Sequence, residues 1–213
     1  MTILDVDQRV YTVNWAGKSR PLTIPRRNLA AEMVMHDLPP LADPMAAVLH
    51  ALEHPIGARP LSEGLRPGMT VALMTGDRMT DWMLGERDGM GLALLDHLNR
   101  LGIRDEDVTL FHAGGSHYNP DWRDRFGEAL LGRVRAYRHD AWETDNLTFL
   151  GVTRRATPIW VNSRVMQADY KIGLGEVCPN SHGGWTGGGK MIIPGVAGMD
   201  TIERNHSYLM APL

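Results

Sequence analysis

Cysteine is nearly absent from this sequence. The lone Cys178 cannot form an intramolecular disulfide, which excludes the small secreted domains that depend on disulfides for stability. The N-terminal segment MTILDVDQRVYTVNW lacks the basic start and the apolar run that are typical of a signal peptide. We therefore expect a cytoplasmic protein.

Long apolar runs and an excess of one charge are also lacking. No apolar stretch approaches the roughly 20 residues that a membrane-spanning helix needs, which excludes an integral membrane protein. The net charge is −3, and acidic and basic residues are interspersed, so nothing marks a surface for nucleic acid or an anionic membrane. With 213 residues, 43% of them hydrophobic, the chain can form a globular core, and we expect its partners to be small molecules.

The first part of the chain carries no visible chemistry. Residues 11–15 alternate between apolar and polar types, which predicts an exposed hairpin or an edge strand. Prolines cluster between Leu38 and Pro67 and bracket one predicted helix, from about Pro44 to His54. No convincing linker divides the sequence, so we predict one domain over residues 1–213.

Strands and helices alternate from Met69 onwards. Residues 71–75 read as a buried strand, and residues 89–101 read as a helix because leucines recur at helical spacing. A second strand over 108–111 precedes a helix predicted over 121–131. Its proposed N-cap is Asn119, and Pro120 would be its first residue.

Two more strands complete the predicted α/β fold. They cover residues 158–161 and 170–174. Strands that alternate with helices predict a mostly parallel sheet with helices on both faces. In such a sheet, ligands bind beyond the carboxyl ends of the strands. The polar and glycine-rich stretches 76–77, 112–117 and 176–190 all fall at those ends.

The glycine-rich stretch before Lys190 is the most informative part of the sequence. Five glycines between positions 183 and 189 favour a backbone that approaches a ligand closely or adopts positive φ. The segment superficially resembles a phosphate-binding P-loop, but Met191 stands where magnesium coordination requires Ser or Thr. We expect a ligand site rather than a flexible surface loop.

A family resemblance rests on two motifs. The pattern Gly-Gly-x-Lys-x-x-x-Pro-Gly-x-Ala ends at Ala197, and Thr-Ile-x-x-Asn-His ends at His206. Together they resemble the lactate racemase family, whose members hold a nickel-pincer nucleotide covalently. The resemblance implies that Lys190 forms the thioamide anchor and that His206, on a short helix from near Asp200, supplies a nitrogen ligand to nickel. It also places the backbone of Gly187, Gly188 and Gly189 beside the cofactor. Without Lys190, a capping or core role for His206 would be preferred.

The resemblance assigns proton transfer to His117. This histidine follows Gly114, Gly115 and Ser116 in a loop after a strand, where the family has its catalytic histidine. Imidazole can exchange a proton with a substrate hydroxyl near neutral pH. His112, nearer the strand, is expected to be structural. A solvent-facing loop residue is the alternative for His117.

Two positions depart from the family pattern. The strand-end motif Asp-x-Thr-Arg reads Asp77-Arg78-Met79-Thr80, so Asp77 matches but Thr80 replaces the arginine expected to hold the substrate carboxylate. We expect Asp77 to serve both catalysis and substrate binding, with Arg78 and Thr80 as further substrate contacts.

The second departure is Asn180, which stands where the family has a second catalytic histidine. Asparagine cannot take up a proton near pH 7, so we expect Asn180 to bind substrate and His182 to act as the second base. A loop histidine that faces water is the alternative for His182.

The resemblance implies a racemase or epimerase of a 2-hydroxy acid that uses the nickel-pincer nucleotide, and the departures at Thr80 and Asn180 favour a substrate other than lactate. Family members continue into a second domain, so that domain or a separate second half is an expected partner, as are cofactor-synthesis proteins. Two alternatives stay open. One is a cofactor-binding or carrier module without turnover, and the other is a nickel-free nucleotide-binding enzyme.

Overall fold

The computed structural model describes residues 7–34, 38–76, 89–180 and 183–209. The chain forms two compact units, Met1–Leu41 and Ala42–Leu213. The prediction that residues 1–213 make up one catalytic domain stays a prediction. Within the described ranges, no helix has the length and apolar character needed to cross a membrane.

The first unit contains an antiparallel hairpin. Strands β1 (Gln8–Trp15) and β2 (Lys18–Pro25) pair along their full length. The turn residues Ala16 and Gly17 both have positive φ, 49° and 73°, as the tight turns of twisted hairpins require. The hairpin predicted around residues 11–15 is therefore confirmed.

The second unit holds the other elements of the described residues. In chain order they are α1 (Pro44–Glu53), α2 (Leu61–Gly64), β3 (Val71–Thr75), α3 (Met90–Arg100), β4 (Val108–His112), α4 (Gly127–Leu131), β5 (Arg135–Arg138), β6 (Leu147–Val152), β7 (Pro158–Asn162), α5 (Ser163–Gln167), β8 (Tyr170–Leu174), β9 (Pro179–Asn180), β10 (Gly184–Trp185) and α6 (Met199–Leu209). Short 3-10 turns cover Arg26–Asn28 in the first unit and Asp105–Asp107, Trp122–Arg125, Thr144–Asn146 and Gly188–Met191 in the second.

A four-stranded parallel sheet forms the centre of this unit, in the order β5-β4-β3-β8. Every residue of β3 is buried, as expected for a central strand that is covered on both faces. Leu73 packs on one face in a core with leucines of α3 and Leu130 of α4. Met74 packs on the other face with Val165 of α5 and Met191. The predicted α/β fold is confirmed.

The helix α1 was also predicted correctly. It begins at Pro44, and the side chain of Asp43 caps it by accepting a hydrogen bond of 2.9 Å from the backbone N–H of Ala46. Helix α3 covers most of the predicted range 89–101, with Gly89 as its N-cap residue.

Three sequence predictions were wrong in detail. The helix predicted over 121–131 is broken into a 3-10 turn and the short α4, because Gly127, where α4 begins, has a φ of 68° that interrupts the helical backbone. Asn119 and Pro120 therefore do not begin a helix. The predicted strand over 158–161 exists, but β7 pairs with β6 in an antiparallel hairpin outside the main sheet. The strand that completes the sheet is β5, which was not predicted.

Candidate functional site

A cavity of about 300 Å³ lies at the carboxyl edge of the parallel sheet. The loops that follow β3, β4 and β8 line it, together with the 3-10 turn that carries Lys190 and the helix α6. Lys190, His206, His117 and Asn180 all contribute to the wall of this one cavity. The structure therefore brings together side chains that are far apart in the sequence. His117 and His206, for example, are 89 positions apart.

Lys190 lies in the 3-10 turn Gly188–Met191 and is half-buried. The turn begins after Gly187, whose φ is 68°, and the N–H of Lys190 donates to the carbonyl of Gly187 at 3.0 Å. The next residue, Met191, is only 5% exposed and packs beneath the end of β8. A Cβ at Gly173 would lie 3.1 Å from the Met191 Cγ, so the strand leaves room for this methionine. Met191 is thus an apolar support for the lysine.

The turn is fixed to the loop that carries His117. The N–H of Gly195 donates to the carbonyl of Lys190 at 2.9 Å, and the carbonyl of Gly195 accepts from the N–H of Gly115, also at 2.9 Å. A Cβ at Gly195 would lie 2.4 Å from the Met191 carbonyl oxygen, a distance that real side chains do not reach. Glycine is therefore required where these two loops meet.

The ring of His206 is oriented by a hydrogen bond within its own helix. Its ring is half-buried, and Nδ1 lies 2.9 Å from the carbonyl oxygen of Ile202, one turn earlier in α6. A carbonyl can only accept, so Nδ1 carries the proton and Nε2 carries the lone pair. A backbone bond of this kind fixes the ring orientation of metal-ligating histidines. The helix predicted from near Asp200 is confirmed.

His117 lies at the mouth of the cavity and is exposed. Its backbone N–H donates to the carbonyl of Gly114 at 3.0 Å, and Gly115 between them has a φ of 58°. This tight turn places His117 beside the cavity immediately after β4. By contrast, His112 is 1% exposed and lies near the rings of Trp122 and Phe126.

A buried histidine outside the predicted set supports the site. His139 is 3% exposed, and its Nε2 donates to the carbonyl of Ala197 at 2.8 Å. Its Nδ1 lies 3.2 Å from the Asn162 side-chain nitrogen, which donates to it. The backbone N–H of Asn162 donates to the carbonyl of Val196 at 2.9 Å. Burial lowers the pKa of His139, so the neutral ring holds the segment between Lys190 and His206.

The other predicted site residues divide into two groups. Gly187 lines the cavity, and Gly188 and Gly189 belong to the 3-10 turn that carries Lys190. The remaining four lie outside the described residues, so their roles stay predictions: Asp77, Arg78, Thr80 and His182.

The side chains of the cavity that could hold a cofactor are a lysine and a histidine. Among the described residues, no group of three or more His, Cys, Asp or Glu side chains is placed to hold a metal ion. A lysine and a fixed histidine in one cavity fit a pincer nucleotide, because such a group brings its own donor atoms.

Comparison with known proteins shows the family. The model of the lactate racemase N-terminal domain matches residues 16–212, so the chain belongs to this family. The chain is 26% identical over 162 residues to the lactate racemase of Thermoanaerobacterium thermosaccharolyticum, a match that covers 75% of this chain and 37% of that protein. It is also 26% identical over 105 residues to the lactate racemase of Lactiplantibacillus plantarum, covering 49% of this chain and 24% of that protein.

Solved structures show the same fold. The lactate racemase apoprotein from T. thermosaccharolyticum superposes with a TM-score of 0.68 and 22% identity, over 91% of this chain and 45% of that one. A protein from Thermotoga maritima gives a TM-score of 0.57 and 20% identity, over 79% of this chain and 42% of that one. The chain thus spans less than half the length of these relatives.

Proposed function

We propose that this chain forms the cofactor-anchoring and proton-transfer side of an active site that racemises or epimerises a 2-hydroxy acid. The observation that supports this most directly is the placement of Lys190, His206 and His117 around one cavity. Membership of the lactate racemase N-terminal family supports the isomerase class. The matched relatives are more than twice as long as the matched region, so a second domain or a separate second half would complete the site.

The cofactor that fits the site is a nickel-pincer nucleotide. Lys190 would be its anchor, holding the cofactor through a thioamide between the amine nitrogen and a thiocarboxyl group. His206 would supply its Nε2 lone pair to nickel, because Nδ1 is committed to the Ile202 carbonyl. The chemistry that the bound cofactor supplies is reversible hydride exchange with the carbinol carbon of the substrate.

The chain's own residues would handle the proton. His117 would accept the substrate hydroxyl proton as the carbinol is oxidised and return it in the reverse step. Its position at the cavity mouth lets a substrate reach it from solvent. His182 is the proposed second base, and Asp77, Arg78 and Thr80 are the proposed substrate contacts. Because Thr80 cannot form the paired contact that an arginine makes with a carboxylate, we propose a substrate other than lactate.

The test begins with the protein made together with cofactor-synthesis enzymes. We expect its intact mass to include a covalent nucleotide, proteolysis to place that mass on Lys190, and elemental analysis to find nickel. Isomerisation is then measured over a panel of 2-hydroxy acids. With the second half supplied, a covalent mass with nickel but without turnover would favour a carrier module. A protein that never gains the mass, in the presence of a relative that does, would contradict the proposal.

A further inference from the structure

The side chain of Asn180 contacts the amine of Lys190. The carboxamide oxygen Oδ1 lies 3.3 Å from Lys190 Nζ, which donates to it. The same oxygen accepts a hydrogen bond of 2.8 Å from the backbone N–H of Gly183. One oxygen atom therefore joins the lysine amine to the backbone of the loop that precedes it.

The backbone holds this oxygen in place. Strands β9 and β10 pair antiparallel, with Asn180 opposite Gly184. At the base of this ribbon, the Thr186 hydroxyl donates to the Glu176 carbonyl at 2.8 Å, and the Thr186 N–H donates to the Cys178 carbonyl at 2.9 Å. Asn180 therefore stands on a cross-linked loop and can act as a fixed acceptor.

Gly183 leaves space for the stem of the lysine. A Cβ at this position would lie 3.2 Å from Lys190 Cδ and 3.6 Å from Asn180 Oδ1. A side chain here would press on the lysine and on the acceptor together. Asn180 and Gly183 thus form one cradle, in which the first contacts the amine and the second lies against the aliphatic stem.

We propose that Asn180 is a positioning residue that orients the Lys190 amine for attachment of the cofactor. A lysine tail has many rotamers, and attachment requires the amine to meet one carbon atom in a defined geometry, so restricting the tail speeds the reaction. An uncharged oxygen restricts it without the ion pair that a carboxylate would form. This role differs from the substrate-binding role expected from the sequence, and it rests on the proposed function only in taking Lys190 as the anchor.

The contact can be tested without cofactor. The lysines of this chain are Lys18, Lys171 and Lys190, so protein labelled with ¹³C-lysine gives a simple spectrum of Cε signals that Lys190→Arg assigns. We expect the Lys190 Cε group to be more ordered than that of the exposed Lys18. Asn180→Leu should lower this order, whereas Asn180→Asp, which keeps the acceptor, should preserve it. Unchanged Lys190 relaxation in folded Asn180→Leu would overturn the proposal.

A second measurement concerns attachment itself. In cells that make the cofactor, Asn180→Leu should load Lys190 about 2- to 10-fold more slowly than wild type, the range expected for loss of one typical hydrogen bond. Gly183→Ala provides an independent variant and should also slow loading. Equal loading in wild type and in both variants, each with an unchanged melting temperature, would contradict the positioning role.

Together, the relaxation and loading experiments distinguish failure of the proposed anchor from failure of the positioning role. If wild type gains no mass at Lys190, the proposed anchor is wrong, but the relaxation data still decide whether Asn180 holds the amine. If wild type loads normally and Asn180→Leu neither frees the lysine nor loads more slowly, the anchor stands and the positioning role is wrong.

Discussion

His139 donates a hydrogen bond of 2.8 Å to the carbonyl oxygen of Ala197, between the two residues proposed to hold the cofactor. Ala197 follows Lys190 and precedes the helix of His206, and it is fully buried. Burial lowers the pKa of this histidine more strongly than the Ala197 carbonyl, Asp140 and Glu143 raise it, so the folded protein favours the neutral ring.

The lowered pKa of His139 predicts that stability depends on pH. The unfolded chain binds a proton near the ordinary value of 6.5, and the folded protein binds it only at lower pH. Stability from this residue is therefore fully present above pH 6.5 and is lost as the pH falls toward the folded-state pKa. Urea unfolding of wild type and His139→Gln at about pH 7.5 and about pH 5.5 should show a smaller difference at the lower pH. A difference that stays constant would contradict this assignment.

The close packing around Gly195 predicts that alanine substitutions at two glycines of one segment differ in their effect on stability. Gly195→Ala places a Cβ 2.4 Å from the Met191 carbonyl oxygen and 2.8 Å from that of Lys190. We expect a loss of about 1–3 kcal/mol in the free energy of unfolding, as for other overpacked sites. Gly189→Ala is the matched control, because a Cβ there would meet no atom within 4 Å. Similar unfolding curves for the two variants would show that the junction tolerates a side chain.

Sequence reasoning predicted the parts of the fold that have a strong local signal. The buried strand Val71–Thr75 is a continuous short apolar run, and the helix Met90–Arg100 has leucines at helical spacing. The missed strand, Arg135–Arg138, alternates half-buried and exposed residues and carries two charges, so it resembles a loop. The break at Gly127 depends on a single backbone angle, which apolar spacing does not reveal.

In the candidate site, too, only the residues with a strong local signal could be predicted from the sequence. Lys190 and His206 could be predicted because their motif is contiguous, and the structure places both beside one cavity. The role of His139 could not, because it depends on contact with Ala197, 58 positions away in the sequence. The Asn180 contact with Lys190 depends on a short ribbon that two residues on each side define, too few for a pattern.

Replacing the anchor predicts loss of covalent loading. Lys190→Ala should abolish the added mass, because the other lysines, Lys18 and Lys171, lie outside the cavity wall. Lys190→Arg should also fail, since guanidinium is a poor nucleophile for this linkage. Lys171→Arg is the matched control and should load like wild type. An unchanged added mass in Lys190→Ala, measured on the intact protein, would rule out this anchor.

The proposed ligand role of His206 predicts that its replacement lowers nickel retention. His206→Ala should keep the covalent nucleotide, because Lys190 is intact, but should lower nickel retention, because one of the ligands is gone. The comparison is the ratio of nickel to covalent mass after gel filtration in a weak chelator. His54→Ala is a useful control, since His54 ends α1 and does not line the cavity. Equal ratios in wild type and His206→Ala would refute the ligand role.

The last prediction concerns substrate choice. Lactate offers little besides its carboxylate for orientation, and Thr80 stands where the family resemblance implies an arginine that holds it. Hydrogen bonds to charged groups contribute about 1.5–3 kcal/mol each, so loss of a bidentate pair should weaken lactate binding by more than about tenfold. Larger 2-hydroxy acids, such as sugar acids, can offset this through other contacts. We therefore expect cofactor-loaded protein, joined to its second half, to convert larger acids faster than lactate. Thr80→Arg should improve lactate conversion, whereas Thr80→Gln, which adds length without charge, should not. If wild type converts lactate as fast as any other acid in the panel and Thr80→Arg brings no gain, the arginine is not what limits this protein's use of lactate.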